Sequence, residues 1–107
     1  MITFDDLQKI ELRVGQILSA EPVEGSQKLL KLSVDFGEET PRTVVSGIAA
    51  YVDIESFIGT QKVFVTNLEP RAIMGIESQA MILAGKDDVT MGLTTMDRPI
   101  KNGTLLS

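Results

Sequence analysis

Cysteine and histidine are both absent from this chain of 107 residues. Without cysteine there are no disulfide bridges and no thiolate metal sites. Without histidine there is no Ser-His-Asp or Cys-His nucleophile system and no imidazole metal ligand. An enzyme would depend on Asp, Glu, Lys or the single tyrosine, Tyr51. These residues show no pattern typical of acid-base or nucleophilic chemistry, so we expect no catalysis, no metal and no cofactor.

Long hydrophobic runs are missing as well, since no stretch approaches about 20 apolar residues. The N-terminal sequence Met-Ile-Thr-Phe-Asp-Asp lacks the basic and then apolar order of a signal peptide. We therefore expect a soluble, cytoplasmic protein with no membrane partner. Aromatic residues make up only 5% of the chain, which leaves few rings for stacking single-stranded bases.

Positive charge is in deficit. Fifteen Asp and Glu residues against ten Lys and Arg residues give a net charge of -5, which by itself argues against a nucleic-acid partner. A local basic patch can outweigh this total, because salt screens charges beyond about 8 Å under physiological conditions. The positions of the cations therefore matter more than their number.

A hairpin is predicted in the first half of the chain. Leu30, Leu32, Val34 and Phe36 alternate with polar residues and would share the buried face of one strand. The acidic, Gly- and Pro-containing segment 37–41 is typical of a hairpin connection, after which residues 42–48 would return antiparallel.

Short helices are predicted in two places. Thr3 precedes two acidic residues and is expected to cap a helix that ends near Lys9, and Asp53 is expected to cap a second helix closed by Gly59. The other strands are predicted at 11–23 with a bulge at Gly15-Gln16, at 62–68, at 80–84 and, continuing the sheet, at 89–96. This order predicts an all-β fold, a five-stranded OB-type Greek-key barrel with short helices at the N-terminus and between strands 3 and 4, in one domain, 1–107.

Three cations lie on or beside the predicted hairpin. Side chains of Lys28, Lys31 and Arg42 on the non-core face would project together and form a basic stripe suited to phosphate. Alternatively they are ordinary solvated strand cations opposite Asp35 or the acidic hairpin tip. Sequence periodicity does not decide between these interpretations.

The segment from Asn67 to Ala84 joins two apolar strands through a polar loop. Asn67, Arg71 and Ser78 offer an amide, a guanidinium and a hydroxyl, and Met81 adds a flexible apolar group. Such a set suits phosphate, sugar and unstacked bases. The alternative is a structural loop, in which Asn67 and Ser78 satisfy backbone groups and Met81 belongs to the core.

Several multi-residue blocks occur in the order found in a known family. They are Leu12-Arg13-Val14-Gly15-x-Ile17, Gly25-Ser26-x-Lys28-Leu29-Leu30-Lys31, Arg42-Thr43-Val44-Val45-Ser46-Gly47-Ile48-Ala49, Asn67-Leu68-x-Pro70-Arg71 and Gly75-Ile76-x-Ser78-Gln79-x-Met81. Together they resemble the tRNA-binding OB domain appended to the C-terminus of methionyl-tRNA synthetases, which also occurs as free-standing dimeric tRNA-binding proteins. The likeness extends from Ile2 to Leu105.

The resemblance implies a non-catalytic module that binds the outside of the tRNA L-shape by backbone and shape and thereby aids aminoacylation. Carried over by position, the tRNA-binding residues are Lys28, Lys31, Arg42, Asn67, Arg71, Ser78 and Met81. The resemblance also implies a homodimer, and the catalytic part of methionyl-tRNA synthetase as a further partner. The dimer interface would lie in the N-terminal helix and the C-terminal strand region, with apolar contacts from Ile100, Leu105 and Leu106.

Two alternative functions remain open. The family often has Lys or Arg where this chain has Glu69, Ala72 and Met74. The module could therefore serve to dimerise synthetase subunits, with a weakened RNA face. A chaperone-like peptide binder, as proposed for some relatives of this barrel, is the other alternative.

Overall fold

A computed structural model describes residues 1–107. In chain order the elements are α1 (Phe4–Leu7), β1 (Leu12–Pro22), β2 (Leu30–Asp35), β3 (Arg42–Ser46), a 3-10 turn (Ala49–Tyr51), α2 (Ile54–Phe57), β4 (Gln61–Val65), β5 (Arg71–Ile73), β6 (Ile76–Ser78), β7 (Met81–Ile82), β8 (Ala84–Lys86) and β9 (Met91–Leu93). No helix has the length and apolar character needed to cross a membrane.

The main sheet has five antiparallel strands in the order β3-β2-β1-β4-β7. Its two edges approach each other through Thr43 on β3 and Gln79 beside β7. The backbone N–H of Gln79 donates to the Thr43 carbonyl at 2.8 Å, and the Thr43 N–H donates to the Gln79 side chain at 2.8 Å. These bonds nearly close the sheet into a barrel, which confirms the predicted OB-type fold.

The alternating residues of β2, together with Phe36 directly after it, form the centre of the core, as predicted. Leu30, Leu32, Val34 and Phe36 are all buried, and the Phe36 ring meets the ring of Phe64 edge to face at 5.1 Å. Burial of each such aliphatic or aromatic side chain contributes about 1.5–3 kcal/mol. The hydrophobic pattern of this one strand therefore determines which face of the hairpin lies inside.

Both predicted helices are present and short. Thr3 and Asp6 form a reciprocal capping box, in which each backbone N–H donates to the other side chain at 3.1 Å. Asp53 precedes α2, but its side chain makes no capping hydrogen bond. Gly59 follows α2 with a positive φ of 91°, consistent with its predicted place at the C-terminal end.

The bulge predicted at Gly15-Gln16 is wrong. Strand β1 pairs regularly through Gly15, and the register shift lies between Ile17 and Ser19. Gly15 is needed for close packing, because a Cβ there would lie 2.5 Å from Cγ1 of Val34 and 2.6 Å from Cε1 of Phe36. The glycine interrupts the apolar alternation without interrupting the strand.

The strands of the second half differ from the prediction. The strand predicted at 80–84 is reduced to β7, and β8 and β9 pair with each other instead of continuing the main sheet. The predicted strands at 42–48 and 62–68 end early, at Ser46 and Val65. Short apolar runs such as these carry little information about where pairing stops.

The C-terminal segment lies along β1, which the sequence did not indicate. The Val14 N–H donates to the Thr104 carbonyl at 3.0 Å, and the Leu106 N–H donates to the Leu12 carbonyl at 2.8 Å. Arg13 and Leu105 form an isolated antiparallel bridge. The C-terminus and the helix α1 region therefore come together beside the start of β1.

Candidate nucleic-acid interface

The polar loop between β4 and β7 contains an unpredicted hairpin, β5–β6. Arg71 pairs with Ser78, and Met74 and Gly75 form the two-residue turn, with φ values of 49° and 79°. Two successive positive φ angles are typical of the type I′ turns that connect tight hairpins. The hairpin presents Arg71 to solvent and directs Ser78 inward.

Arg71, Ser78 and Met81 line one small pocket of about 80 Å³, together with Leu68 and Glu69. Arg71 is exposed and forms no ion pair, and the Met81 side chain is 46% exposed. Met81 is therefore a surface residue and not the core residue of the structural alternative. The pocket combines a free guanidinium with an apolar wall.

Ser78 is buried beneath this pocket and supports it. Its hydroxyl accepts a hydrogen bond of 2.9 Å from the backbone N–H of Val45 and donates to the carbonyl of Ala80 at 3.2 Å. The side chain thus joins β3 to the segment between β6 and β7. Both hydrogen-bonding capacities are used internally.

Lys28 lies in the loop between β1 and β2, where it is exposed and forms no ion pair. The loop is ordered by Ser26, whose hydroxyl accepts from the backbone N–H of Lys28 at 3.2 Å. A Cβ built on Gly25 would lie 3.5 Å from the methyl carbon of Met74, at the tip of the β5–β6 hairpin. The loop that carries Lys28 therefore approaches the tip of the hairpin that carries Arg71.

Lys31 projects from β2 on the outer face. It pairs across the sheet with Val45, and its Nζ lies 3.8 Å from the carboxylate of Glu21. Both charged groups are largely solvated, and pairs of this kind contribute only about 0.2–1 kcal/mol. Lys31 therefore remains free to exchange Glu21 for another anion.

Arg42 does not share a stripe with Lys31. It pairs directly with the buried Val34, three residues along β2 from Lys31, so alternation places Arg42 on the opposite face of the sheet. Its guanidinium carbon lies 5.4 Å above the centre of the Phe36 ring. The predicted basic stripe of three cations is therefore not formed.

The guanidinium of Arg42 has a partner on every side. Nε and Nη2 donate to the two carboxylate oxygens of Glu38 at 2.9 and 2.8 Å, and Nη1 donates to the carbonyls of Thr66 at 2.7 Å and Gln79 at 3.2 Å. The hydrogen bonds from Arg42 hold the pKa of Glu38 below its usual value, and Glu38 in turn raises the pKa of Arg42. Arg42 thus connects the ends of three segments of the barrel.

Asn67 holds the N-terminal segment in place through two hydrogen bonds to its backbone. Its Oδ1 accepts from the backbone N–H of Glu11 at 2.9 Å, and its Nδ2 donates to the Lys9 carbonyl at 2.8 Å. It borders an apolar groove near α1 and is not part of the Arg71 pocket. The predicted alternative, in which Asn67 and Ser78 satisfy backbone groups, agrees with these hydrogen bonds.

The seven sequence-predicted residues therefore separate into two groups. Lys28, Lys31, Arg71 and Met81 present side chains to solvent, whereas Arg42, Asn67 and Ser78 are engaged in internal hydrogen bonds. For Arg42, the alternative of a cation opposite the acidic hairpin tip agrees with its ion pair to Glu38. The hydrogen bonds of Arg42 to the carbonyls of Thr66 and Gln79 were not predicted.

Comparison with known proteins agrees with this architecture. The family model described as "Putative tRNA binding domain" matches residues 12–105. The methionine–tRNA ligase of Caldanaerobacter subterraneus subsp. tengcongensis is 47% identical over 106 residues, which are 99% of this chain and 16% of that ligase. The ligase of Thermotoga maritima is 45% identical over 99% of this chain and 17% of its own length. The chain thus spans only a small part of these relatives.

Two solved structures cover the whole of this chain. The MetRS related protein from Pyrococcus horikoshii has a TM-score of 0.92 with 32% identity over 98% of its length. The chaperone CsaA from Bacillus anthracis has a TM-score of 0.89 with 29% identity over 99% of its length. The resemblance stated from the motifs is confirmed. The chain belongs to the tRNA-binding domain family and is a tRNA-binding module homologous to the C-terminal regions of methionyl-tRNA synthetases.

Proposed function

We propose that the surface formed by Lys28, Arg71 and Met81 contacts the sugar-phosphate backbone on the outer side of a tRNA, and that this contact aids aminoacylation. The observation that carries the proposal is that Lys28 and Arg71 are both exposed and free of ion pairs, on a loop and a hairpin that approach each other at Gly25 and Met74. Unpaired surface cations can neutralise phosphates and release their counter-ions, which favours binding. The net negative charge of the chain is screened at larger distances.

The predicted site residues take part in two ways. Lys28, Lys31 and Arg71 bind phosphates, and Met81 packs against a sugar or base beside Arg71. Arg42, Asn67 and Ser78 hold the strands and loops that carry those groups. Phosphate contacts of this kind position an RNA without reading its sequence, so recognition rests on the shape of the tRNA.

We further propose that two copies of the chain associate through the apolar groove between α1 and the C-terminus. This groove has a volume of about 450 Å³. Phe4 is 69% exposed, Leu7 48% and Leu105 51%, although these side chains adjoin one another along the groove. Contiguous exposed apolar surface marks an interaction site, and a two-fold axis would pair each patch with its equivalent. Leu105 and Leu106 line this groove, in agreement with the expected interface, whereas Ile100 lies outside it beside Gln61.

Dimerisation would increase the reach of the RNA surface. Three phosphate-binding cations per chain give about six phosphate contacts when one tRNA spans both copies.

The catalytic part of methionyl-tRNA synthetase is the proposed partner of the module. The module adds an RNA contact to that enzyme and raises the effective affinity of the enzyme for tRNA. The corresponding location is the cytoplasm.

Peptide binding is the second candidate function. The structural neighbour from Bacillus anthracis is described as a chaperone, and Leu68, Met74 and Met81 are each about half exposed around Arg71. Flexible methionine-rich surfaces adapt to varied apolar segments. An unfolded peptide that competes with tRNA for this surface would support the second function, whereas tRNA binding unaffected by the peptide would exclude a shared site.

Filter binding of unfractionated tRNA at 50 and 200 mM salt tests the principal function. We expect a complex whose affinity falls steeply between the two salt concentrations, because phosphate contacts displace counter-ions. Sedimentation velocity of the same samples measures the dimer. The absence of a salt-dependent complex, with the protein folded and dimeric, would contradict tRNA binding and leave dimerisation as the function.

A further inference from the structure

We propose that the carboxylate of Glu38 occupies the place on Arg42 that an RNA phosphate takes in the bound complex, so that Glu38 is an internal competitor that lowers tRNA affinity. The inference rests on the proposed function, because it concerns regulation of the RNA surface. It assigns Arg42 a phosphate-binding edge that the chain itself covers in the absence of RNA.

The geometry of the pair is that of anion recognition. Nε and Nη2 of Arg42 reach both carboxylate oxygens of Glu38, at 2.9 and 2.8 Å. Guanidinium groups bind phosphate through the same two-pronged arrangement. A phosphate with two oxygens at these positions would make equivalent hydrogen bonds.

The guanidinium is held in place independently of Glu38. Its Nη1 donates to the carbonyls of Thr66 and Gln79, and its guanidinium carbon lies 5.4 Å from the centre of the Phe36 ring. These contacts hold the Nε–Nη2 edge in its present direction when the carboxylate leaves. Arg42 is therefore preorganised for an anion, and little side-chain entropy is lost on exchange.

Glu38 is placed where it can leave. It lies in the exposed connection between β2 and β3, and its side chain is 44% accessible, compared with 23% for Arg42. Exposed ion pairs are weak. A tRNA already bound to Lys28 and Arg71 would offer its phosphate at high effective concentration and could displace the carboxylate.

No other carboxylate directly contacts this edge. Glu11 acts on Arg42 only at a distance, because its own carboxylate accepts hydrogen bonds from Arg13 at 2.9 Å and from the Thr66 hydroxyl at 2.8 Å. Glu39, the neighbour of Glu38, is exposed and forms no ion pair. Glu39 therefore provides a control that has the same charge and lies on the same turn.

The test compares Glu38→Gln with Glu39→Gln in tRNA filter binding at fixed salt. Each substitution removes one negative charge from the same turn, but only Glu38→Gln removes the charge and one of the two acceptor oxygens that face Arg42. We expect Glu38→Gln to raise tRNA affinity about three- to fivefold, and Glu39→Gln to raise it by less than about twofold. Equal effects of the two variants, or lower affinity in Glu38→Gln, would overturn the proposal.

A second measurement does not depend on tRNA. Inorganic phosphate is titrated into each variant while the side-chain Nε–H resonance of Arg42 is followed by NMR. We expect phosphate to shift this resonance in Glu38→Gln at concentrations that leave it unchanged in Glu39→Gln. An unchanged resonance in Glu38→Gln would contradict the anion site even if tRNA binds.

If the wild-type protein bound no tRNA, the phosphate titration would still decide whether Glu38 covers an anion site. Thermal unfolding of both variants verifies that each is folded.

Discussion

A Cβ atom on Gly103 would overlap the backbone carbonyl oxygen of Phe36. The two chain segments lie this close because the Gly103 N–H donates to the Val14 carbonyl at 2.7 Å and the Gly103 carbonyl accepts from Nη1 of Arg13 at 2.7 Å. Gly103 also has a positive φ of 88°, which side-chain-bearing residues rarely adopt. The C-terminal segment is thereby fastened to β1 next to the proposed dimer groove.

Substitution of Gly103 by Ala is expected to lower the free energy of unfolding by more than about 2 kcal/mol, through the overlap with Phe36 and the strained φ. Gly92→Ala is the matched control. Gly92 has open space around its Cβ position and no positive φ, so its substitution should change stability by less than about 0.5 kcal/mol. Urea unfolding of both variants provides the comparison. Equal stability of the two variants would show that the close approach is not maintained in solution.

Ser78→Ala tests the supporting role of the buried hydroxyl. The substitution leaves the Val45 N–H without its partner, which costs about 1–3 kcal/mol when the donor is buried. Ser19→Ala is the control, because Ser19 lies on an exposed part of β1 and should contribute less than about 0.5 kcal/mol. Chemical denaturation at neutral pH measures both. A Ser78→Ala variant as stable as the wild type would contradict the supporting role of this hydroxyl.

Acid should weaken the fold through two carboxylates. Hydrogen bonds from Arg13 lower the pKa of Glu11, and those from Arg42 lower the pKa of Glu38, from an ordinary value of 4.5. A lowered pKa in the folded state stabilises the protein above the unfolded value, and this contribution disappears as the pH falls through the folded pKa. Stability should therefore decline below pH 4.5. Thermal melting from pH 7 to pH 3 should show a shallower decline in Glu38→Gln than in Glu39→Gln, and identical pH profiles would contradict the assignment.

Leu105→Asp tests the proposed dimer. Leu105 lines the groove beside Phe4 and Leu7, and burial of a carboxylate in an apolar interface is unfavourable. We expect sedimentation to show a dimer for the wild type and a folded monomer for this variant. Val89→Asp is the control, because Val89 is 89% exposed on the β8–β9 turn and lies outside the groove. A Leu105→Asp variant that sediments as the wild type does would place the dimer interface elsewhere.

The barrel could be predicted because the residue patterns that specify its strands and its first helix are short and continuous in the sequence. The alternation from Leu30 to Phe36 and the capping residue Thr3 each act within a few residues, and the structure reproduces both. Gly15 was misinterpreted as a bulge because its role depends on Val34 and Phe36, which reach it from a neighbouring strand. Periodicity shows which face of a strand is buried, but it does not show what packs against it.

The roles of the site residues depend on hydrogen bonds between residues that lie still farther apart in the sequence. Resemblance to a family selected the positions, but the partners of Asn67 lie more than 50 residues away at Lys9 and Glu11. Arg42 was expected either to contact phosphate or to lie opposite the acidic hairpin tip, yet its acceptors also include the carbonyl of Thr66, just after β4. The charge of a side chain is evident from the sequence, but its availability depends on tertiary hydrogen bonds.

Substitution of Arg71 by Ala, compared with Arg98→Ala, tests tRNA binding by the proposed surface most directly. Each change removes one arginine, but Arg98 is paired with Asp97 outside the pocket that Arg71 lines. From tRNA affinity measured over a range of salt concentrations, we expect Arg71→Ala to reduce the slope of log affinity against log salt by about one phosphate contact. Arg98→Ala should leave this slope unchanged. Equal slopes and equal affinities for the two folded variants would contradict the assignment of the RNA-binding surface.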